Sequence, residues 1–258
     1  MAYFRNAQGY YLGAPQVRQG AVGAYTLTGT TEVPLLLQDC IISTAQIHEI
    51  TDITVSGQSV FASNQNCPTD AFAPVGWLGA TGHKSMGIPI ASRQQVVVSG
   101  STNLGTYGPG VVANVGFGIG TDPITPAQVV PVNELGGEAM SYVCGLGTVA
   151  LAAGATAALQ CTIRRPVMLG AMVLAIDAGV PDDFVVTGIT VNNVQMLSGQ
   201  AGDNIPLSVF LNTSTDIDGK IIAYPAPLNG QVQITITNAG LVAANASGAI
   251  FTIPSTAG

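Results

Sequence analysis

Charged side chains are scarce in this sequence. The 258 residues include 14 Asp and Glu and 7 Lys and Arg, or 8% of the chain, whereas soluble domains usually carry about 25%. A folded chain of this mass exposes roughly 10,000 Å², which leaves about one charged side chain per 500 Å². Such a surface is poorly protected against association. Either neighbouring subunits cover it or the many Ser, Thr, Asn and Gln side chains solvate it, and we expect the first.

Basic residues are the scarcest charged class. The net charge is −7, and no basic cluster extends beyond the pair Arg164-Arg165. Binding to a phosphate backbone depends on such clusters, so we expect no direct binding of nucleic acid. The first residues, MAYFRNAQGYYLGAP, lack the basic start and apolar core of a signal peptide. We therefore expect synthesis in a cytoplasm.

Long apolar runs are also few. The longest one without charge, residues 143–163, has about the length of a bilayer span. Three glycines and Gln160 dilute it, and we expect no transmembrane helix. Alanines make a helix over residues 150–159 a competing interpretation, but Gly154 interrupts that stretch, and we predict a strand.

Histidine is too rare to support most catalytic constellations. The two histidines, His48 and His83, lie in no context such as GxSxG, which a nucleophile with a neighbouring base would need. The glycines of Gly116-Phe117-Gly118-Ile119-Gly120 do not fit GxGxxG, so dinucleotide binding is excluded. We expect no enzyme, no catalytic residue and no cofactor.

The four cysteines show no metal-binding spacing. No CxxC pair occurs among Cys40, Cys67, Cys144 and Cys161. A shared disulfide or zinc framework would recur in the two similar halves described below, and these positions do not match. We therefore predict buried thiols outside any disulfide.

Two acidic groups are weak candidates for a cation site. Asp216 and Asp218, followed by Gly219, resemble the middle of a calcium loop, but the leading Asp and the final Glu are missing. A hairpin turn is the better interpretation there. The densest acidic group is Asp177, Asp182 and Asp183, which would hold Ca²⁺ between subunits or remain as solvated loop charges. We favour solvated charges and predict no metal site.

The chain contains an internal repeat. Shifting ITDITV with SGQSVF, residues 50–61, by 136 positions superposes it on residues 186–197 of the stretch VVTGITVNNVQML, which begins at Val185. An earlier match has an offset of 132 positions and pairs Tyr10 with Tyr142 and Gly13 with Gly145. Self-similarity at a fixed period indicates one structural unit written twice.

Each half reads as about eight short strands. The first half has predicted strands at 24–30, 33–44, 49–56, 59–62, 88–91, 94–99 and 111–120, and the second at 155–164, 166–176, 184–191, 194–197, 205–211, 220–224, 231–238 and 248–254. Turn signals every 8 to 12 residues and little helical periodicity are typical of β-sandwiches and jelly rolls. We predict an all-β chain of two tandem jelly-roll or β-sandwich domains related by internal duplication.

The domain boundaries follow from the repeat. Residues 1–125 form the first domain, with an aromatic N-terminal arm and a loop insertion at 63–87. Residues 126–140 belong to a proline-containing linker within the stretch 121–140, whose prolines favour extended backbone. Residues 141–258 form the second domain.

This organisation resembles the double jelly-roll major capsid proteins of tailless icosahedral viruses and bacteriophages. The resemblance rests on two similar eight-strand halves, marked by ITDITV with SGQSVF and by TGITV with NNVQML, joined by residues 121–140. It implies a homotrimer whose six barrels form a pseudo-hexagonal tile of the virion shell. It also implies minor capsid proteins and an underlying membrane as further partners.

Aromatic residues are the candidates for subunit contacts, because they are enriched at interface hot spots. We expect the arm residues to lock subunits together and Trp77 to lie in an outer loop; the arm residues are Tyr3, Phe4, Tyr10 and Tyr11. One alternative function is another assembled subunit, such as a tail, fibre or surface-layer protein. Another is a carbohydrate-binding tandem sandwich, in which Trp77, Tyr107 and Tyr224 would stack on sugars.

Overall fold

A computed structural model describes most of the second half of the chain and the strands of the first. The described residues are 3–6, 9–12, 16–18, 23–30, 35–44, 49–68, 71, 88–90, 93–102, 112–119, 142–197, 204–211 and 221–253. The predicted linker at 126–140 and residues 69–70 and 72–87 of the predicted insertion lie outside them.

The described chain is all-β. Its first eleven strands are β1 (Tyr3–Asn6), β2 (Gly9–Leu12), β3 (Gln16–Arg18), β4 (Gly23–Thr30), β5 (Leu35–Thr44), β6 (Glu49–Val55), β7 (Gln58–Ser59), β8 (Cys67–Pro68), β9 (Ile88–Ile90), β10 (Gln95–Thr102) and β11 (Val112–Ile119). The other nine are β12 (Val143–Leu151), β13 (Thr156–Thr162), β14 (Val167–Ile176), β15 (Phe184–Val191), β16 (Val194–Gln195), β17 (Ile205–Pro206), β18 (Ile221–Ala226), β19 (Gln231–Asn238) and β20 (Ala244–Ile253). The described residues contain no α-helix, which confirms the predicted all-β class.

The strands form four antiparallel sheets. In the first half, one sheet has the order β1-β2-β11-β5-β9, with β3 also on β11, and the other has the order β4-β10-β6-β7, with β8 also on β6. In the second half the orders are β12-β20-β14-β18 and β13-β19-β15-β16, with β17 also on β15.

Alternating burial explains why the sequence forms these strands. In β19 every second residue is buried, from Val232 to Asn238, as expected for β-branched residues on one face of a half-buried sheet. In β14 nearly every residue is buried, as expected for a continuous apolar run covered on both faces. The apolar segment 143–163 forms β12 and β13, separated by a turn at Gly154, which has a φ of +71°. Among the described residues, no helix is long and apolar enough to span a membrane.

Two irregularities occur in both halves, 136 positions apart. The β6–β10 register skips Thr51, and the β15–β19 register skips Thr187. The two-residue hairpin turns after β6 and β15 have positive φ at both central positions, which are Ser56 and Gly57 in one and Asn192 and Asn193 in the other. Positive φ at both positions defines the type I′ hairpin turn, in which Gly and Asn are favoured.

The predicted strand at residues 205–211 is wrong over Leu207–Phe210. Ile205 and Pro206 pair with β15 and Leu211 forms one bridge with Leu174, but Leu207–Phe210 between them forms a 3-10 turn. Residues three apart lie on the same side of such a turn. Leu207 and Phe210 are therefore both buried, and alternation fails here because the apolar spacing is three instead of two.

Candidate assembly surfaces

The segment from Val60 to Asn66, here called the clasp, makes contacts between the two halves. Its apolar members Val60, Phe61 and Ala62 are at most 2% exposed. They belong to a core that also contains Val143 and Leu146 of the second half. The clasp therefore lies in a core shared by both halves, although the sequence places it in the first.

Backbone hydrogen bonds join the clasp to the edge of β12. Val143 donates its N–H to the Val60 carbonyl over 3.0 Å, and Ala62 donates to the Val143 carbonyl over 2.8 Å. Further along, Gly147 donates to the Asn66 carbonyl over 3.0 Å. An uncovered strand edge is a template for pairing with other chains, and here the first half covers it.

The clasp also closes the end of β13, which belongs to the other sheet. Asn64 donates its backbone N–H to the Thr162 carbonyl over 3.2 Å, and its side-chain oxygen accepts the Thr162 N–H over 2.8 Å. Arg164 donates to the Ala62 carbonyl over 2.7 Å. Because β12 and β13 lie in different sheets, the clasp fills the corner where the two sheets meet.

Gly145 makes this close approach possible. A Cβ atom built on it would lie 2.3 Å from the carbonyl oxygens of Gln65 and Asn66. Contacts below 3.0 Å are essentially never made by a real Cβ, and both neighbours here are backbone atoms that a rotamer change cannot move. The requirement for glycine at this position comes from the partner segment and not from the local turn.

Polar side chains support the same corner. Glu49 accepts a hydrogen bond from Thr148 over 2.8 Å and another from the Asn66 amide over 3.0 Å. The Arg165 guanidinium lies 4.3 Å from the centre of the Tyr142 ring and donates to the Ser59 carbonyl over 3.4 Å. These contacts tie strands of both halves to the clasp.

Two thiols lie beneath the clasp in an environment that suppresses ionisation. Burial raises the pKa of Cys161 from 9.0 to about 12, although a hydrogen bond with Ser63 opposes the shift. Burial, and then the neighbouring Cys161, raise the pKa of Cys144 well above its ordinary value. Both are free and buried, as predicted, and Cys67 is buried as well. A thiol is reactive as the thiolate, so neither Cys144 nor Cys161 is an activated nucleophile at neutral pH.

The three acidic residues considered as a cation site do not converge. Asp177 uses both carboxylate oxygens on Asn245, accepting its backbone N–H and its side-chain amide over 2.7 Å each. Asp182 and Asp183 lie in the 3-10 turn Pro181–Asp183 and are exposed. No group of three metal-ligating side chains occurs among the described residues, and Asp216 and Asp218 lie outside them.

The arm residues predicted to contact neighbours lie on one hairpin. Tyr3 and Phe4 are in β1, Tyr10 and Tyr11 are in β2, and the register pairs Phe4 with Tyr11. β2 pairs in turn with β11, so the arm extends a sheet of the first half. Trp77 lies outside the described residues, and a role of the arm in locking subunits stays a prediction.

An apolar tip, which the sequence analysis missed, lies at one end of the second half. Val180, Leu241 and Val242 are 58%, 94% and 51% exposed. The two loops that carry them touch, since Ala239 donates a hydrogen bond to the Asp183 carbonyl over 2.7 Å. Sequence reasoning could have noticed the apolar residues after the strictly alternating strand β19, but it could not have paired the two loops.

A small polar pocket opens beside the clasp. Its volume is about 120 Å³, and it is lined by Asn64, Gln65, Gln160, Cys161, Thr162, Gln231, Val232 and Gln233. Pockets for drug-sized ligands usually measure about 300–1,000 Å³ and are mostly apolar. This pocket is smaller and more polar than that class.

No protein-family model matches the chain, and no curated protein matches it either.

Proposed function

We propose that this protein is the major capsid protein of an icosahedral virus or phage, a structural subunit that assembles with copies of itself. The carrying observation is that the sheets of both halves have the same strand order. The protein is proposed to be made in the host cytoplasm and to function in the virion.

The strand order of the second half supports a jelly roll. Its eight main strands, in chain order, are β12, β13, β14, β15, β16, β18, β19 and β20. Counted one to eight, they lie in the orders 1-8-3-6 and 2-7-4-5. The pairs 1–8, 2–7, 3–6 and 4–5 are those of one long hairpin folded over on itself. A jelly roll is the two-sheet barrel that such a folded hairpin makes.

The first half supports the proposed duplication. Its strands β3, β4, β5, β6, β7, β9, β10 and β11 lie in the same two orders; β2 pairs with β11 as β3 does, and β1 extends the edge beyond β2. The bulges at Thr51 and Thr187 and the two type I′ turns occur at matching positions. Arg93 and Asn229, also 136 positions apart, have φ of +64° and +62°. Separate origins would not be expected to reproduce such irregularities.

Assembly is the function that best uses these features. The clasp is a heterologous contact, in which one barrel presents a segment and the next receives it, and such contacts generate closed rings when the rotation closes. The scarcity of charge, 8% of all residues, leaves a surface suited to coverage by neighbours. Two barrels in one chain would place six similar units in a trimer and fill a hexagonal tile.

The oligomeric mass of the purified protein in solution, followed by electron microscopy, tests the proposal. We expect trimers, and closed shells or hexagonal tiles under assembly conditions. Filaments would instead favour a tail or fibre subunit. A monodisperse monomer that binds glycans would overturn the assembly proposal in favour of a carbohydrate-binding module.

A further inference from the structure

Two pairs of matching apolar residues, each 136 positions apart, differ in burial between the two halves. Val60 and Phe61 are 1% and 2% exposed. Their counterparts 136 positions later, Met196 and Leu197, are only half-buried, and the adjacent Val194 is 44% exposed. The first pair lies in the core, and the second packs against the core but stays partly exposed.

Local structure does not cause the difference. Val60 donates its N–H to the Ile53 carbonyl over 2.8 Å, and Met196 donates to the Ile189 carbonyl over 2.7 Å. The two hairpins also end alike, because the register pairs Val55 with Gln58 and Val191 with Val194.

The difference comes from what covers each hairpin. β12 of the second half lies over Val60 and Phe61, and Phe61 forms a bridge with Val143. No described residue forms a matching backbone bridge with Met196 or Leu197. The surface formed by Val194, Gln195, Met196 and Leu197 matches residues 58–61 in the repeat. There, β12 of the second half covers Val60 and Phe61.

We propose that this surface, here called the second clasp, binds the first half of another copy of the chain. The inference rests on the proposed function and names the contact through which that assembly occurs. The receiving positions follow from the offset of 132 positions. Val143, which bridges to Phe61, matches Tyr11 in β2, and Thr162, which contacts Asn64, matches Thr30 at the end of β4.

A second copy is the occupant because the chain already contains the complementary pair of surfaces. One barrel receives the clasp within the chain, and the first barrel of a neighbour offers the corresponding strands, β2 and β4. β1 pairs with β2 along the same edge, with Phe4 opposite Tyr11, so docking displaces β1 from that edge. The arm is then available to pack on the neighbour.

Cysteine cross-linking between two separately purified variants tests the contact. One carries Tyr11→Cys and the other Leu197→Cys, and each is mixed with the other under mild oxidation. A disulfide between them forms only between copies, so we expect a band at twice the chain mass of 26.1 kDa in the mixture, above the level in either variant alone or in the unmodified protein. A chain with both substitutions is expected to form covalent species up to the trimer and none larger, because the ring closes.

The matched control replaces Leu197→Cys with Leu241→Cys. Leu241 is 94% exposed and lies just beyond Asn238, which pairs with Phe184, the first residue of β15. The second clasp instead comes after Val191, the last residue of β15. Because Met196 donates to the Ile189 carbonyl, five residues along β15 from Phe184, roughly 15 Å of strand separates the two positions. Equal cross-linking by both variants, or a ladder beyond the trimer, would overturn this inference. A trimer that cross-links at neither position would overturn it while leaving the proposed function in place, whereas a monomeric unmodified protein would overturn the proposed function itself.

Discussion

The hydroxyl group of Ser63 donates a hydrogen bond to the carbonyl oxygen of Gly145, 2.9 Å away and 82 positions later in the chain. Ser63 is 1% exposed, so the bond lies inside the core. A buried polar group that loses its hydrogen-bond partner costs about 1–3 kcal/mol, so the fold favours keeping this bond. The clasp is therefore part of the folded core and not a surface contact between independent units.

Gly145→Ala is expected to lower the free energy of unfolding by about 3 kcal/mol. The new methyl group would meet the Gln65 and Asn66 carbonyl oxygens at 2.3 Å, and overpacking of this kind usually costs about 1–3 kcal/mol, with hydrogen bonds of the clasp lost in addition. Urea denaturation followed by circular dichroism measures the change.

Gly188→Ala is the matched control for that substitution. Gly188 is also a buried strand glycine, but its Cβ would lie 3.4 Å from the Thr235 hydroxyl oxygen, which is ordinary contact. We expect a change within about 1 kcal/mol. Equal losses in the two variants would show that the clasp does not approach Gly145 as closely as described.

Phe61→Ala and Leu197→Ala are expected to have opposite profiles, although the residues occupy matching positions. Phe61 is 2% exposed, and removing a buried Phe side chain costs about 3–5 kcal/mol. Leu197 is half-buried in the single chain, so its loss should cost about 1 kcal/mol. Urea denaturation measures the free energy of unfolding of both variants, at a protein concentration below that at which copies associate.

Sedimentation provides the second measurement for this pair. Leu197→Ala should weaken association between copies at least tenfold while its fold stays stable. Phe61→Ala should reduce association only as far as it unfolds the chain. Association unchanged by Leu197→Ala would contradict a role for the second clasp.

Strands with a clear periodicity could be predicted from the sequence. Residues 184–191 and 231–238 are predicted and observed as strands with identical ends, because β-branched residues alternate there and turn residues bound both. Residues 205–211 are predicted less well, because this segment is apolar but only its first two residues pair in the β15 sheet. The 3-10 turn that follows buries residues three apart instead of every second residue. Local pattern determines the first class, and tertiary packing determines the second.

The clasp could not be predicted from local pattern. Polar residues such as Asn64 and Gln65 indicate a loop, and their pattern predicts an insertion that begins at residue 63. In the structure this segment pairs with Gly145 and Thr162. These partners lie nearly a hundred positions later in the chain, so local pattern cannot reveal the contact. The repeat contains a partial signal, because Val60 and Phe61 match the apolar residues Met196 and Leu197. It does not indicate that β12 covers only the first of these pairs.

Stability is expected to fall as the pH rises above 9. The Cys161 thiol has an ordinary pKa of 9.0 and a folded-state pKa of about 12, so between these values the unfolded chain loses the proton while the folded chain keeps it. The stabilisation is complete below pH 9 and is lost as the pH rises towards 12, with a slope of about 1.4 kcal/mol per pH unit for one thiol. Cys144 contributes in the same direction.

Comparison with Cys161→Ala isolates the thiol from other groups that titrate in this range. Unfolding free energies measured at pH 8 and pH 10 should differ by about 1.4 kcal/mol less in the variant than in the unmodified protein. Rapid reaction of Cys144 and Cys161 with a thiol reagent at pH 8 in the folded protein would contradict their burial. Identical pH profiles would contradict the raised pKa.

Asp177→Ala is expected to lower the free energy of unfolding by about 2 kcal/mol. The carboxylate accepts two hydrogen bonds from Asn245, each 2.7 Å long, and these fasten the end of β14 to the start of β20. Hydrogen bonds to a charged group contribute about 1.5–3 kcal/mol, and the half-buried position of Asp177 places the loss towards the lower end. Asp182→Ala serves as the control, because Asp182 is exposed and its loss should change stability by less than about 0.5 kcal/mol.

Thermal unfolding with and without added Ca²⁺ completes the test. A shift in melting temperature on adding Ca²⁺ that both substitutions abolish would contradict the structural role and restore a cation site at this loop.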